Sequence, residues 1–253
     1  IIFFLNNKEV EAFEGETIWQ VAFRLGTEIP HLCYANKPGY RADGNCRACM
    51  VEIEGERVLA ASCIRKPSNN MKVHTSTQKA KKSRELVFEL LLSDQPERNI
   101  AHDKNSHFWN WIDKIDLKDS RFHKKTPCQP DISHPSMAVN LDACIQCNLC
   151  VRACREVQVN DVIGMAYRGE NSKIVFDFDD PMGDSTCVAC GECVQVCPTG
   201  ALMPASIVNQ KGVGSTEVDE KINSVCPYCG VGCQIEYNVK KNQIQYVNGA
   251  NGP

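Results

Sequence analysis

The chain opens with a segment whose apolar and polar positions predict a β-hairpin. Residues 1–5 form an apolar run, Asn6 and Asn7 favour a turn, and residues 8–12 alternate between charged and apolar side chains. Two short strands separated by turn-forming residues are typical of a hairpin. We therefore expect the chain to begin with two paired strands.

A helix is predicted next. Thr17 and Gln20 have the spacing of a capping box, and Gly26 can end the helix. Its apolar stripe, which we expect in the core, consists of Ile18, Trp19, Ala22 and Phe23. Residues 50–54 and 57–61 then predict two further strands. Hairpin, helix and further strands follow one another in the order of a β-grasp domain.

Helical periodicity and short strands recur further along the chain. Residues 79–94 predict an amphipathic helix, whose apolar side carries Leu86, Val87, Leu90 and Leu91. The remaining predicted elements are a helix over 106–115 packed by its aromatic side chains, strands over 162–167 and 174–178 flanking a turn at 169–172, a linker over 209–220, and a hairpin over 234–239 and 243–247.

Composition and charge narrow the class of protein. The formal net charge of −3 argues against nucleic acid as the main partner. No apolar run approaches the roughly 20 residues of a membrane span, and the N-terminus lacks the pattern of a signal peptide. Sixteen cysteines in tight spacings indicate metal sites in a reducing compartment. We expect a cytoplasmic protein, and the missing initiator Met leads us to expect part of a longer polypeptide.

Eight cysteines form two runs with the spacing C-x2-C-x2-C-x3-C. The first run is Cys144, Cys147, Cys150 and Cys154, and the second is Cys187, Cys190, Cys193 and Cys197, followed by Pro198. In this pattern the fourth cysteine of each run binds the other run's cluster. We predict one [4Fe-4S] cluster on Cys144, Cys147, Cys150 and Cys197, and a second on Cys187, Cys190, Cys193 and Cys154. The alternatives are zinc sites, which usually show two separated C-x2-C pairs, and a disulfide framework.

Four earlier cysteines predict a [2Fe-2S] cluster. Cys33, Cys46, Cys49 and Cys63 have the spacing C-x12-C-x2-C-x13-C. The gap at residues 34–45 contains Gly39 and Gly44, as expected of a loop whose backbone comes close to a cluster and aims N–H groups at its sulfurs. The alternative is a zinc ribbon, but it needs two C-x2-C pairs, and only Cys46 and Cys49 form one.

The last cysteines, Cys226, Cys229 and Cys233, form a C-x2-C-x3-C run. No cysteine follows them before Pro253, so either this site is incomplete or its fourth ligand lies beyond Pro253. If it does, a further [4Fe-4S] cluster is expected. The sixteenth cysteine, Cys128, is expected to have no role beyond packing.

Two groups of basic residues are predicted to be solvated. For the cluster within residues 65–84, the alternative is a docking surface for a partner subunit. Arg152 and Arg155 lie within and just after the first cysteine run. For these two, the alternative is that a fixed positive charge raises the reduction potential of a nearby cluster.

The first cysteine set resembles the N-terminal domain of the large iron–sulfur subunit of complex I, of iron-only hydrogenases and of NAD-linked formate dehydrogenases. In the complex I and hydrogenase relatives, an H-x3-C-x2-C-x5-C pattern for one more [4Fe-4S] cluster usually follows. Here no cysteine lies between Cys63 and Cys128, and His102, His107 and His123 have no cysteine at ligand spacing. We therefore expect that additional cluster to be missing.

The run C-P-Y-C-G-V-G-C from Cys226 to Cys233 resembles the opening of molybdopterin-dependent oxidoreductases, and formate dehydrogenases in particular. As a whole, the chain resembles the N-terminal electron-transfer region of the alpha (catalytic) subunit of a cytoplasmic NAD-dependent formate dehydrogenase. That resemblance implies formate oxidation at a molybdenum or tungsten bis-molybdopterin guanine dinucleotide held by the remaining molybdopterin domain of the same polypeptide. Electrons would pass through the clusters to a flavin- and NADH-binding iron–sulfur beta subunit. It implies no catalytic residue within this chain.

The expected fold class is α+β, in four segments. These are a β-grasp [2Fe-2S] ferredoxin domain at 1–78, a helical connector without the histidine-ligated site at 79–137, a bacterial-ferredoxin-like domain with two [4Fe-4S] clusters at 138–208, and the start of a molybdopterin oxidoreductase [4Fe-4S] domain at 221–253. Two other functions stay open. One is an iron–sulfur subunit of a complex I-like enzyme or of a bidirectional hydrogenase diaphorase, and the other is a stand-alone electron-carrier adaptor.

Overall fold

A computed structural model describes residues 1–124, 126–215 and 217–250. Residues 1–78 form a twisted sheet with one helix packed against it. Its strands are β1 (Ile2–Leu5), β2 (Lys8–Glu11), β3 (Met50–Ile53), β4 (Ala60–Ala61) and β5 (Lys72–His74). They lie in the order β2-β1-β5-β3-β4, and β1 and β5 are parallel while the other neighbours are antiparallel. The predicted hairpin is present, and Asn6 and Asn7 both adopt the left-handed backbone conformation of its tight turn.

The helix of this domain, α1 (Ile18–Arg24), begins with the predicted capping box. The amide of Gln20 donates to the Thr17 hydroxyl at 3.3 Å, and the amide of Thr17 donates to the Gln20 side chain at 2.9 Å. The predicted stripe is wrong at Phe23, which is 59% exposed and stacks on the outer side of Trp19. Phe23 lies about 140° around the helix from Ile18, so it points away from the sheet.

The connector contributes two helices, α2 (Gln78–Ser93) and α3 (His107–Lys114), whose N-termini are capped by Thr77 and Ser106. Both were predicted, and on the predicted apolar side of α2 Leu91 packs against the core and Val87 is half-buried. Leu86 and Leu90 are exposed, whereas Ala80, Arg84 and Phe88 are buried at i, i+4 and i+8. Phe88 packs against Phe108 of α3, with ring centroids 6.0 Å apart. The larger aromatic side chain therefore sets which face of α2 is buried.

Arg84 also corrects the prediction that the basic residues within 65–84 are all solvated. Its side chain is buried, and its guanidinium donates to the carbonyl of Thr75 at 2.5 Å. A charged side chain in a core needs such a partner. Sequence periodicity favoured leucines for this face because arginine is normally exposed.

The next domain is built from short elements around two strand pairs. They are β6 (Met137–Val139), α4 (Leu149–Arg152) with a π-helical continuation (Ala153–Val157), β7 (Ile163–Ala166), β8 (Lys173–Phe176), α5 (Glu192–Val196) and β9 (Leu202–Pro204). Antiparallel pairing joins β6 to β9 and β7 to β8. The predicted strands β7 and β8 are present, although Phe178 lies beyond the end of β8 and is almost fully exposed.

The last part is an antiparallel sheet of β10 (Glu220–Val225), β11 (Gln234–Lys240) and β12 (Gln243–Gly249). The hairpin β11–β12 was predicted, and β10 was not. The linker before this sheet is packed against the protein: the amide of Gly214 donates to the carbonyl of His102 at 2.8 Å. Across the described part of the chain, no helix combines the length and apolarity that a membrane crossing requires.

Candidate iron–sulfur centres

The β-sheet of the first domain gathers the first four cysteines at one end. Cys49 directly precedes β3, and Cys63 is the second residue after β4. The pairing of these strands therefore places the two cysteines close together. Cys33 and Cys46 enter from the two ends of the intervening loop, residues 34–45, which we call the bridging loop. Three of the four side chains are buried, and Cys46 is half-buried.

The thiols of this group are close enough to share hydrogen bonds. Those from Cys46 and Cys63 hold the pKa of Cys33 well below its usual range, and they raise the pKa of both donors. A hydrogen bond with Cys63 likewise lowers the pKa of Cys49 to about 7. The backbone amide of Cys46 donates to the sulfur of Cys33 at 3.4 Å, as expected of a loop that stabilises thiolates. The four thiols therefore form one connected group.

The paired cysteine runs surround two separate cavities. The first cavity is lined by Cys144, Cys147, Cys150 and Cys197. The second is lined by Cys154, Cys187, Cys190 and Cys193. These are the two crossed groups that the spacing predicts. The crossing arises because α4 and its π-helical continuation carry Cys150 to one cavity and Cys154 to the other, and α5 connects Cys193 to Cys197 in the same way.

The thiols that line the first cavity are affected by burial and by the charges of one another. Burial raises the pKa of Cys147 and Cys150, and the charges of the other thiols, including Cys197, raise both further. Gln146 and Asn148 adopt the left-handed conformation, which wraps the chain around the site. The amide of Gln146 donates to the sulfur of Cys144 at 3.5 Å. Thiols held in this way favour a bound group that withdraws their protons.

The second cavity has the same construction, with one exposed cysteine. Burial raises the pKa of Cys193 to about 12, and Cys190, Cys187 and Cys154 add to that shift by charge repulsion. The sulfur of Cys154 accepts from the amide of Val162 at 3.3 Å, and that of Cys187 accepts from the amide of Ala189 at 3.4 Å. The exposed member is Cys190.

These sites fit iron–sulfur clusters by their donor chemistry. Each predicted group supplies four thiols, and backbone N–H groups point at several sulfurs, as at cluster sites generally. Within the described ranges, no group of three or more His, Cys, Asp or Glu side chains is arranged to hold a single metal ion. In the paired sites, all four thiols of each group line the same cavity.

Cys226, Cys229 and Cys233 lie in the loop between β10 and β11. The amide of Cys226 donates to the carbonyl of Cys233 at 2.8 Å, which closes the loop, and Cys229 and Cys233 are exposed. The amide of Ala250, just after β12, donates to the carbonyl of Gln234 at 3.0 Å. Ala250 therefore lies next to the end of this loop.

His102 lies in the connector, where the sequence predicts no additional cluster. His102 is buried, and its ring nitrogens lie 2.7 Å from the Gly212 carbonyl and 2.6 Å from the Asp142 carboxylate. At the H-x3-C-x2-C-x5-C spacing from His102, this chain has Ser106, Trp109 and Ile115. The first caps α3 and the second is buried in the core.

Cys128 corrects one further prediction. It is exposed, so it does not pack in a core. Its side chain lines a shallow cavity next to Cys144 and Lys173.

The bridging loop also joins the first site to the paired sites. The Tyr40 hydroxyl donates to Glu192 at 2.8 Å, and Arg41 donates to Glu156 at 2.9 Å. Arg152 is buried and contacts this loop, so its predicted solvation is wrong. Burial among loops distant in sequence leaves no periodic signal, so the sequence pattern does not indicate that Arg152 is buried.

Three stretches of the chain match known domain families. Residues 1–78 match a 2Fe-2S iron-sulfur cluster binding domain, residues 143–201 a 4Fe-4S dicluster domain, and residues 219–252 a molybdopterin oxidoreductase Fe4S4 domain. The predicted fold class, with these domains in this order, is confirmed.

Relatives of this chain are redox proteins. An NADH-quinone oxidoreductase subunit of Rhizobium meliloti is 32% identical over 96% of this chain and 28% of its own length. The NADP-reducing hydrogenase subunit HndD of Solidesulfovibrio fructosivorans is 34% identical over 79% of this chain and 35% of its own. The probable oxidoreductase YjgC of Bacillus subtilis is 28% identical over 95% of this chain and 28% of its own. The chain thus spans about a third of the length of the curated relatives it matches.

A solved structure has the same fold. The crystal structure of NAD+-reducing [NiFe]-hydrogenase in the H2-reduced state aligns with a TM-score of 0.73 and 25% identity, covering 80% of this chain and 86% of that one. The domain matches show 2Fe-2S and 4Fe-4S iron–sulfur domains in this chain, and the relatives named above are oxidoreductases or subunits of oxidoreductases.

Proposed function

We propose that this chain is the electron-transfer region of a formate dehydrogenase alpha subunit that passes electrons from a Mo- or W-pterin centre to a flavin subunit that reduces NAD. The observation that carries the electron-transfer part is the pair of cavities lined by the crossed cysteine groups. The formate part is supported by the C-P-Y-C-G-V-G-C run within the molybdopterin oxidoreductase Fe4S4 match.

In this proposal the cysteines hold one [2Fe-2S] and two [4Fe-4S] clusters, with a third [4Fe-4S] cluster on Cys226, Cys229 and Cys233 if a fourth ligand follows Pro253. Iron–sulfur clusters gain and lose single electrons. The protein side chains exclude water and hold the sites close together. Cys33 of the first site and Cys147 of the first cavity are near enough for the charge of one to raise the pKa of the other. Adjacent sites are what electron transfer requires.

A second candidate function is an iron–sulfur subunit of a complex I-like enzyme or a hydrogenase. The alignment that covers 86% of a chain from NAD+-reducing hydrogenase favours it. In this chain His102 pairs with Asp142 and Ser106 caps α3, which weighs against the members of that group that carry the histidine-ligated cluster.

Cluster occupancy is tested by iron and acid-labile sulfide analysis with EPR on anaerobically purified protein. We expect roughly ten iron per chain from the first site and the paired sites, and about four more if the last site is filled. Cys147→Ala should abolish one [4Fe-4S] signal and leave the [2Fe-2S] signal, because the first site has its own four thiols. Cys128→Ala is the matched control and should leave every signal unchanged. Bound zinc or sulfurs joined as disulfides would overturn the cluster assignment.

The substrate is tested with the full-length enzyme and its partner subunits. We expect formate alone, under anaerobic conditions, to reduce the EPR-visible clusters, and we expect hydrogen gas to leave them oxidised. Reduction by hydrogen without reduction by formate would establish the hydrogenase alternative. Reduction by NADH but not by formate would exclude the formate assignment.

A further inference from the structure

Arg152 lies where the first site meets the paired sites. It stands between Cys150 and Cys154, which line different cavities, and its side chain is 3% exposed. Its Nη2 donates to the carbonyl oxygen of Cys33 at 2.6 Å. Its Nη1 donates to the carboxylate of Asp43 in the bridging loop. Arg152 ends α4, which together with its π-helical continuation carries Cys150 and Cys154. Its guanidinium therefore links the segment that serves both paired sites to the backbone of Cys33 in the first site.

The contacts of Arg152 differ from those of the arginine three residues later. Arg155 is 54% exposed and pairs with Asp161 at the surface. Burying the Arg152 guanidinium costs solvation energy that only close partners offset. Asp43 is the anionic partner and is itself mostly buried. The Nε of Arg152 is buried without a hydrogen-bond partner among the described residues. The two Nη contacts therefore form at the cost of one unsatisfied buried donor.

We propose that Arg152 is a positioning residue that sets the reduction potential of the [2Fe-2S] site and holds this site against the paired sites. The inference rests on the proposed cluster occupancy. Reduction adds one electron to the site and breaks no bond, so it adds one negative charge next to the Cys33 backbone. A buried positive charge hydrogen-bonded to that backbone stabilises the reduced form, because the interior screens charge weakly.

The ion pair between Arg152 and Asp43 predicts the direction in which each substitution changes the reduction potential of the [2Fe-2S] site. Removing the guanidinium takes away the buried positive charge and leaves the Asp43 carboxylate paired only with the exposed Arg41, and both effects disfavour reduction. Neutralising Asp43 leaves the guanidinium uncompensated and favours reduction. If Arg152 and Asp43 served only to pack the domains together, either change would break the same contact and move the potential in the same direction.

The test is an EPR-monitored redox titration of the anaerobically purified full-length protein and its variants. For Arg152→Gln we expect about a tenfold fall in the equilibrium constant for reducing the [2Fe-2S] site, which is about 59 mV for a one-electron couple. Asp43→Asn should shift the constant in the opposite direction. Arg152→Lys keeps the charge and should retain most of the wild-type value. Arg155→Gln is the matched control and should leave it unchanged.

The possible outcomes separate this inference from the proposed function. Absence of iron from the wild-type protein would overturn both. Clusters that are present but shift in the same direction in Arg152→Gln and Asp43→Asn, or do not shift, would overturn the inference alone. If Arg152→Gln fails to fold, Arg152→Lys and Asp43→Asn decide the matter, since a raised constant in the aspartate variant with a near wild-type constant in the lysine variant supports it.

Discussion

Aromatic and imidazole rings join the first cysteine loop to the connector. The His31 ring lies between Trp19 and His107, at centroid distances of 4.5 and 4.7 Å. The indole N–H of Trp111 donates to Nε2 of His107 at 3.1 Å. Burial is the main reason that the pKa of His107 lies below its usual value. His107 therefore stays neutral in the fold at pH values where a solvated histidine takes up a proton.

This ring cluster predicts a loss of stability in acid. Because the folded pKa of His107 is depressed, the unfolded chain binds a proton below about pH 6.5 that the folded chain does not. The stabilisation is complete above that pH and is lost as the pH falls below it. His107→Gln should flatten the decline in urea unfolding free energy between about pH 7.5 and 5.5.

The exposed His123 supplies the control for that measurement. His123→Gln should keep the wild-type pH dependence. Identical slopes for His107→Gln and the wild type would show that His107 does not titrate differently on unfolding.

At the level of single residues, the spacing of the cysteines was the most informative signal in the sequence. Both crossed cysteine groups followed from the run lengths, and the structure brings each group together. Phe23, Arg84 and Arg152 were placed wrongly because residue type was allowed to decide exposure. Which aromatic leaves the core and which arginine enters it depends on partners that lie far away in sequence, such as Asp43 for Arg152.

At the level of elements, α2 shows how one large side chain determines orientation. Phe88 is fully buried between α2 and α3, in a core that also includes Leu32 and Ala48, the neighbours of the first cysteines. Phe88→Ala should cost about 3–5 kcal/mol of unfolding free energy, because it removes a buried ring and leaves a cavity. The measurement is urea denaturation followed by circular dichroism.

Leu90 is the matched control on the same helix. It is 53% exposed, so Leu90→Ala should cost less than about 1 kcal/mol. Equal losses for Phe88→Ala and Leu90→Ala would contradict the observed face of α2.

The linker before the last sheet gives a second prediction at this scale. Gly212 has φ of +74°, and a Cβ there would collide with Oδ1 of Asn140. Gly15 has φ of +87° with open space around it. Gly15→Ala should cost only the backbone strain of about 1–2 kcal/mol. Gly212→Ala should lower the thermal unfolding midpoint clearly further, and equal shifts for the two variants would show that the linker is loosely packed.

Hairpins and caps were predictable because their signals are local, as Thr17 and Gln20 illustrate. Strand β10 was missed because its residues are mostly exposed and polar, and its pairing with β11 comes from backbone hydrogen bonds that periodicity does not encode. The burial of Phe88 was not predicted, because four leucine and valine side chains outnumber one phenylalanine in any local count.

At the scale of the whole molecule, the paired cavities make the fold depend on what fills them. The four thiols of each cysteine group line one cavity. Side chains that line an unfilled space lose the contacts that would stabilise them. A whole domain is stable by only about 5–15 kcal/mol. The region around these cavities should therefore lose its packing when the bound group is removed.

Hydrogen exchange before and after iron chelation under reducing conditions measures this dependence. Amides of residues 144–154 and 187–197 should lose protection, whereas β1, β2 and α1 should retain more of theirs, because Phe3, Leu5 and Ile18 form a core away from both cavities. Unchanged protection at the paired sites would mean that the protein supports the cavities without a bound group.

The order of the domains was predictable from the cysteine spacings and the final run. Their docking was not, because the bridging loop contacts α4 and α5 through Tyr40, Arg41 and Asp43, residues that any solvent-exposed loop could contain.

The packed linker has a practical consequence for protein engineering. Its glycines fit against His102 and Asn140, so the linker that leads to the three-stranded sheet is held by residues belonging to the preceding segments. A chimera that transplanted this sheet to another scaffold would need to bring those receiving side chains with it. A flexible spacer of equal length would preserve the reach of the last cysteine loop but not the direction in which it faces.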